Sequence, residues 1–293
     1  MTVRATGAVD HGRGFGVHDH VCWRYDDTAE FRARAIEFLV DGVLAGQRVL
    51  YVGPATPDAL LADLRGNPVL TEALAYGTAT VADVTATYPG GVAVDPFTQA
   101  AAYAEATEQA VTDGFTGFRV AADATSLVRT PAQAETFARY EHLVDRYTAH
   151  RPFAAMCAYD RAELGDELVA DLACMHSAAS RGATGFRLSG TARPGCVAAV
   201  GGEIDLVEAA GWRRALDRAD LHPVIGDEIL LDATELTFID HHGLVALADA
   251  GFDRGAPVVL LDGPRAAGRV IELLDIPHVT VAAVHGSSAY GTS

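Results

Sequence analysis

Seven side chains capable of acid–base or ligand chemistry are spread along the chain at His20, Cys22, Tyr25, Glu141, Cys157, Tyr159 and His176. His18, His20 and Cys22 alternate within one apolar run. Side chains of a strand repeat every second residue, so these three would share a face. Borderline and soft donors so placed could bind zinc, copper or haem iron. The competing reading makes one of them a buried, hydrogen-bonded histidine and the others ordinary edge residues, and it asks for less. For Cys157 the choice lies between an inert core thiol and a reactive one. For Glu141 it lies between a solvated helix face and a site. All seven are taken as candidate ligand-binding residues converging on one mostly apolar pocket. A second set, Asp240-His241-His242-Gly243, joins a strand pattern to a helix pattern. There the positive end of the helix dipole disfavours a protonated imidazole. The two histidines could cap the helix, sense pH, accept phosphate or bind a metal.

Other chemistry is excluded by residue type. The chain of 293 residues has 22 basic residues, all arginine, and no lysine. That removes a Schiff-base lysine, a lysine general base and a P-loop lysine. The turn after the strand Arg48–Val52 reads Gly53-Pro54-Ala55-Thr56-Pro57, and its two prolines supply no backbone donors to a phosphate. A net charge of −17 disfavours nucleic acid, whose backbone needs cationic neutralisation. Four well-separated cysteines indicate reduced thiols rather than a disulfide scaffold. No apolar run approaches a membrane span and the N-terminus has no apolar signal core, so a cytoplasmic protein is expected. The Ala, Gly, Arg and Asp bias is that of a high-GC bacterial gene.

The elements that must position these residues alternate. Strand patterns at Val17–Tyr25, Arg48–Val52, Thr78–Val84, Phe118–Ala122 and Pro152–Tyr159 are followed by helix patterns. The latter run over Thr28–Ala45, Thr56–Arg65, Asp95–Asp113, Thr130–Thr148 and Arg161–His176. Such a succession predicts an α/β fold with a mainly parallel sheet and a ligand site beyond the strands' carboxyl ends. A loop with Pro89-Gly90-Gly91 interrupts it. Residues 1–15 read as a flexible arm, 16–180 as a first domain, 181–285 as a second and 286–293 as a flexible tail. The second domain alternates strands at Gly195–Gly201, Glu228–Asp232, Val258–Leu261 and Val279–Ala282 with helices at Leu206–Ala219, Gly243–Phe252 and Pro264–Leu274.

Two resemblances follow from particular residues. Asp19-His20-Val21-Cys22-Trp23-Arg24-Tyr25, Gly46-x-x-Val49-Leu-Tyr-Val52, Tyr140-Glu141, Cys157-x-Tyr159-Asp160 and Cys174-Met175-His176 resemble, in order, the motifs of the MEDS sensory domain. The family's usual His-Pro is here His176-Ser177. That resemblance implies a RecA- or KaiC-like parallel-sheet sandwich, here lacking a P-loop, that binds small hydrocarbon derivatives. Gly202-Glu203-Ile204-Asp205, Leu231-Asp232 and Asp240-x-x-Gly243-Leu244 resemble the STAS domain of anti-sigma-factor antagonists. That family usually has Asp-Ser-Ser-Gly-Leu here and is switched by phosphorylation of the second serine; both serine positions are histidine in this chain. The resemblances together imply a signalling protein in transcription regulation, with no catalytic residues and no cofactor. Its sensor, for a small apolar ligand, would be joined to a module that docks an anti-sigma factor or kinase-fold regulator; a second copy is another candidate partner. The alternative is a metal- or haem-binding sensor or enzyme using His20, Cys22 and His176.

Overall fold

The computed structural model describes residues 4–84, 88 and 95–283. The chain forms two compact units, Met1–Ala192 and Arg193–Ser293. Both are α/β, as the alternation predicts.

The first unit is built on a seven-stranded sheet. Its strands are β1 (Gly7–Val9), β2 (His20–Tyr25), β3 (Arg48–Gly53), β4 (Ala79–Asp83), β5 (Phe118–Asp123), β6 (Phe153–Asp160) and β7 (Ala178–Ser180), in the spatial order β1-β7-β2-β6-β5-β3-β4. Every pairing is parallel. Apolar clusters cover both faces. One holds Cys22, Tyr140, Cys157 and Tyr159, and the other Trp23, Tyr25, Phe31 and Met156. The central strands read as nearly continuous apolar runs because neither face meets water.

Helix starts follow local chemistry. The helix Pro131–Thr148 opens with a capping box between Thr130 and Gln133 and with proline in its first turn, which satisfies otherwise unpaired N–H groups. Asp27 caps Thr28–Leu44, and Thr56 caps Pro57–Arg65. Three features depart from expectation. Pro68–Ala75, capped by Asn67, is an additional helix. The span Arg161–His176 breaks into Arg161–Leu164 and Asp166–Ala173 at Gly165, whose φ of 83° lies outside the helical region. β2 begins only at His20.

The expected arm is anchored from Arg4 onward. β1 pairs with β7, the Ala5 N–H donates to Asp19 at 2.7 Å, and Arg4 is bound to the buried Asp145. The compact first unit runs on to Ala192. A short strand, β8 (Phe186–Ser189), is followed by Gly190, whose N–H donates to Asp145 at 2.5 Å. A Cβ at Gly190 would stand 2.6 Å from the Arg146 Cα, so only glycine allows this approach. The Pro89-Gly90-Gly91 loop and the tail 286–293 lie outside the described residues.

The second unit carries β9 (Ala198–Ile204), β10 (Ile229–Ile239), β11 (Val258–Leu261) and β12 (Val279–Ala282), paired in parallel in the order β12-β11-β10-β9. β10 is much longer than its apolar core suggests. It runs on through Thr234–Phe238 with register shifts, exposing polar side chains on the way. Its helices are Ala209–Arg218, His241–Asp253 and Arg265–Leu274.

Candidate functional site

Five of the seven candidate residues meet beneath the Pro131–Thr148 helix. β2 supplies His20, β6 supplies Cys157 and Tyr159, the helix supplies Glu141, and the turn before β7 supplies His176. Four of them, His20, Glu141, Tyr159 and His176, are fully buried, and Cys157 is 6% exposed. The His20 and His176 rings lie 4.0 Å apart. His20 Nε2 is 3.3 Å from Glu141 Oε2 and 3.4 Å from Cys157 Sγ. The Cys157 thiol donates to Glu141 Oε2 at 3.4 Å, and the Tyr159 hydroxyl donates to Oε1. His176 Nε2 is 3.5 Å from the same Oε2.

Cys22 stands beside Cys157 on the neighbouring strand, in register with it. Tyr25 does not join the group. It is an odd step from His20 and Cys22, so it faces the other side of the sheet. There it stacks on Phe31 and donates to Asp123 at 2.9 Å. His18 is also separate: β2 begins after it, and its Nδ1 reaches the carbonyls of Thr148 and Arg151 at 3.0 and 2.8 Å.

Asp145 is the residue that sequence reasoning missed. It is fully buried one helical turn beyond Glu141. Its carboxylate accepts from Arg4 (2.5 and 3.0 Å), His20 Nδ1 (3.1 Å), the Ser177 N–H (3.2 Å) and the Gly190 N–H. The signal was available, since Glu141 and Asp145 are spaced i, i+4 on the stripe shared with Phe137, Ala138 and Val144, and such residues lie on one face.

Burial shapes the electrostatics, and the partners decide the direction. Desolvation would raise the Asp145 carboxyl, but the Arg4 charge and His20 hold it far below the usual range. Glu141 is likewise held low, by His176 and His20 against desolvation. His20 is raised: its hydrogen bonds to Asp145 and Glu141 outweigh burial. Burial, then the His20 charge, lower His176 to about 4. Burial, then Glu141, push the Cys157 thiol well up, so the resting group is a thiol and not the reactive thiolate. Rings 4.0 Å apart leave no space for a porphyrin plane between His20 and His176.

A separate opening lies beyond the carboxyl ends of β3, β4 and β5. This cleft of ≈ 490 Å³ is lined by Pro54, Thr56, Val84, Tyr88, Leu127 and Gln133, among others. It is where an open α/β sheet binds ligands. Pro54 and Pro57 in its wall offer no N–H groups and no lysine reaches it. Mixed with magnesium and ATP, the protein is therefore expected to show neither tight binding by calorimetry nor hydrolysis. A tight, magnesium-dependent isotherm would contradict this.

In the second unit Asp240 caps the His241–Asp253 helix, its Oδ1 accepting from the Gly243 N–H at 2.9 Å. His241 is exposed, and the His242 side chain is 44% exposed, its Nδ1 lying 3.3 Å from Asp240 Oδ2. Desolvation alone would raise the Asp240 carboxyl, but the Gly243 N–H and His242 together bring it below its ordinary value. The two quoted motifs meet here. The Asp240 N–H donates to the Ile204 carbonyl at 2.9 Å, and a Cβ on Gly243 would stand 2.7–2.8 Å from Ile239 and Ile204 side-chain atoms. Trp212, fully buried, donates its Nε1–H to the Gly243 carbonyl at 3.1 Å. Leu206 and Val207, which follow β9, are 68% and 85% exposed.

No described helix is long and apolar enough to cross a membrane. No curated protein matches the chain. The family model for MEDS, the methanogen/methylotroph, DcmR sensory domain, matches residues 19–177, a span from Asp19 beside β2 to Ser177 beside β7 that contains all of the buried cluster. The chain belongs to the MEDS family.

Proposed function

We propose that this is a bacterial signalling protein whose MEDS sensory domain, occupied by a small apolar molecule, controls a partner-docking second unit whose Asp240–Gly243 loop no serine kinase can switch. The sensory assignment of residues 19–177 supports the first half. The apolar-walled cleft at the carboxyl ends of β3–β5 is the place for the ligand, on the same face of the sheet as the His20 cluster, with the Pro131–Thr148 helix contributing Gln133 to the one and Glu141 to the other. The docking half rests on one observation. Asp240, His241, His242 and Gly243 start a helix at the end of β10 with both imidazoles accessible and no hydroxyl between them. Leu206 and Val207 add exposed apolar surface at the end of the adjacent strand, of a kind that partners cover. The partner proposed is an anti-sigma factor or other kinase-fold regulator, and the reading requires no catalysis.

Pull-down with such regulators tests it. Binding is expected to be the same with and without ATP. A His242→Asp variant should bind more weakly, because it places a negative charge where a phosphoserine would stand. Binding abolished by ATP, with phosphate recovered on this loop, would replace the constitutive reading with histidine phosphorylation.

A further inference from the structure

The buried cluster has the geometry of a coordination sphere. His20 Nε2, His176 Nε2, Cys157 Sγ and Glu141 Oε2 all lie within 4.8 Å of one another. The separations among them include 3.3, 3.4, 3.4 and 3.5 Å. Donors about 2.0–2.3 Å from a tetrahedral zinc ion are themselves about 3.3–3.8 Å apart. The outer groups fix the inner ones. His20 directs Nδ1 at the Asp145 carboxylate, and His176 directs Nδ1 at the Leu172 carbonyl, 3.0 Å away. Each therefore turns Nε2 toward the common centre, the arrangement that orients metal-binding imidazoles. His176 Nε2 has no hydrogen-bond partner although it is buried. A lone pair so placed, 3.5 Å from a carboxylate oxygen, lacks a cation or a proton between the two.

We propose that His20, Glu141, Cys157 and His176 form a closed, buried site for one zinc-class divalent cation. Two imidazoles, a thiolate and a carboxylate are a borderline donor set of the kind zinc takes. The exchange balances without redox change: as the ion enters, Cys157 releases its thiol proton and His20 presents a deprotonated Nε2, any proton on that nitrogen leaving to solvent. Glu141 Oε1 keeps the Tyr159 hydroxyl. With four protein donors there is no open position for substrate. The ion would tie β2, β6, the Pro131–Thr148 helix and the entry to β7 together. Cys22, beside Cys157 but outside the four, and the Asp240-His241-His242 group, of which only His241 is exposed, serve as internal controls.

The test is to refold the untagged full chain with cobalt(II) or zinc(II), remove loosely held ions, and measure metal content and the cobalt spectrum. One ion per chain is expected, with a tetrahedral cobalt spectrum and a thiolate charge-transfer band. Cys157→Ser should abolish that band, and His176→Ala should weaken cobalt affinity by about 100-fold or more, while Cys22→Ser and His242→Ala leave both unchanged. Should Cys157→Ser fail to fold, the wild-type spectrum decides, since a six-coordinate spectrum without the charge-transfer band overturns the site. So does refolded protein without metal, a band that survives in folded Cys157→Ser, or metal lost only in His242→Ala.

Discussion

An Arg4→Ala variant is expected to lose roughly 3–5 kcal/mol of stability in its first unit, the cost of stripping one partner from a buried charge. Arg4 is near the start of the chain, but its guanidinium is spent on Asp145, Thr148 and the carbonyls of His18 and Gly190. Asp145 has no exposed surface, so without Arg4 its carboxylate keeps only His20 and two backbone N–H groups. The pH dependence follows. A carboxyl held below its ordinary 3.8 stabilises the fold fully above that value, and the contribution fades as pH falls below it. Removing Arg4 shrinks this contribution, so acid unfolding should begin at a higher pH in the variant. Urea titrations at neutral and acid pH read both effects. A midpoint and acid profile like those of the wild type would mean that the contact carries little energy.

Trp212→Ala should be about as damaging in the second unit. Truncating a fully buried tryptophan costs about 3–5 kcal/mol. Here it also releases the carbonyl of Gly243, the residue that seats the His241–Asp253 helix against β9 and β10. Trp212→Phe separates the two effects: it keeps most of the packing and forfeits the hydrogen bond, for about 1 kcal/mol. Hydrogen exchange along the helix should accelerate in both variants, most in the alanine one. Unchanged exchange in Trp212→Ala would show that the helix is held elsewhere.

Where the structure agrees with the sequence, the controlling forces are local. Thr130-Pro131 with Gln133 declares a helix start without any tertiary help, and the apolar runs of β3, β5 and β6 can only be buried strands. The period of two places His20 with Cys22 and separates Tyr25, a distinction already contained in the sequence but not applied. Where the reading failed, the cause is long range. Arg4 finds Asp145 across 141 positions, and a polar, glycine-rich segment carries no mark of such a partner. β10 continues past Asp232 to Ile239 because β9 pairs with it again from Glu235 onward, after an irregularity at Ala233-Thr234, which composition alone does not reveal. Cys157 and His176 share with His20 a residue chemistry and a place in the motifs that resemble the MEDS family. No spacing rule brings a helix carboxylate, a thiol and two imidazoles to one point.

The strand order has a consequence for how the protein is made. A ribosome delivers β1, β2, β3 and β4 first, but in the finished sheet β2 and β3 are separated by β6 and β5. Until residue 160 has emerged, β2 has no neighbour on that side, and until Ser180 it has none on the other. β1 waits equally long for β7. For more than half of its translation, the nascent chain therefore presents apolar strands with unpaired edges, the species most prone to aggregate. Closure of so many distant pairings is slow. Synthesis of this chain should accordingly depend on holding chaperones far more than its finished, fully parallel sheet would suggest.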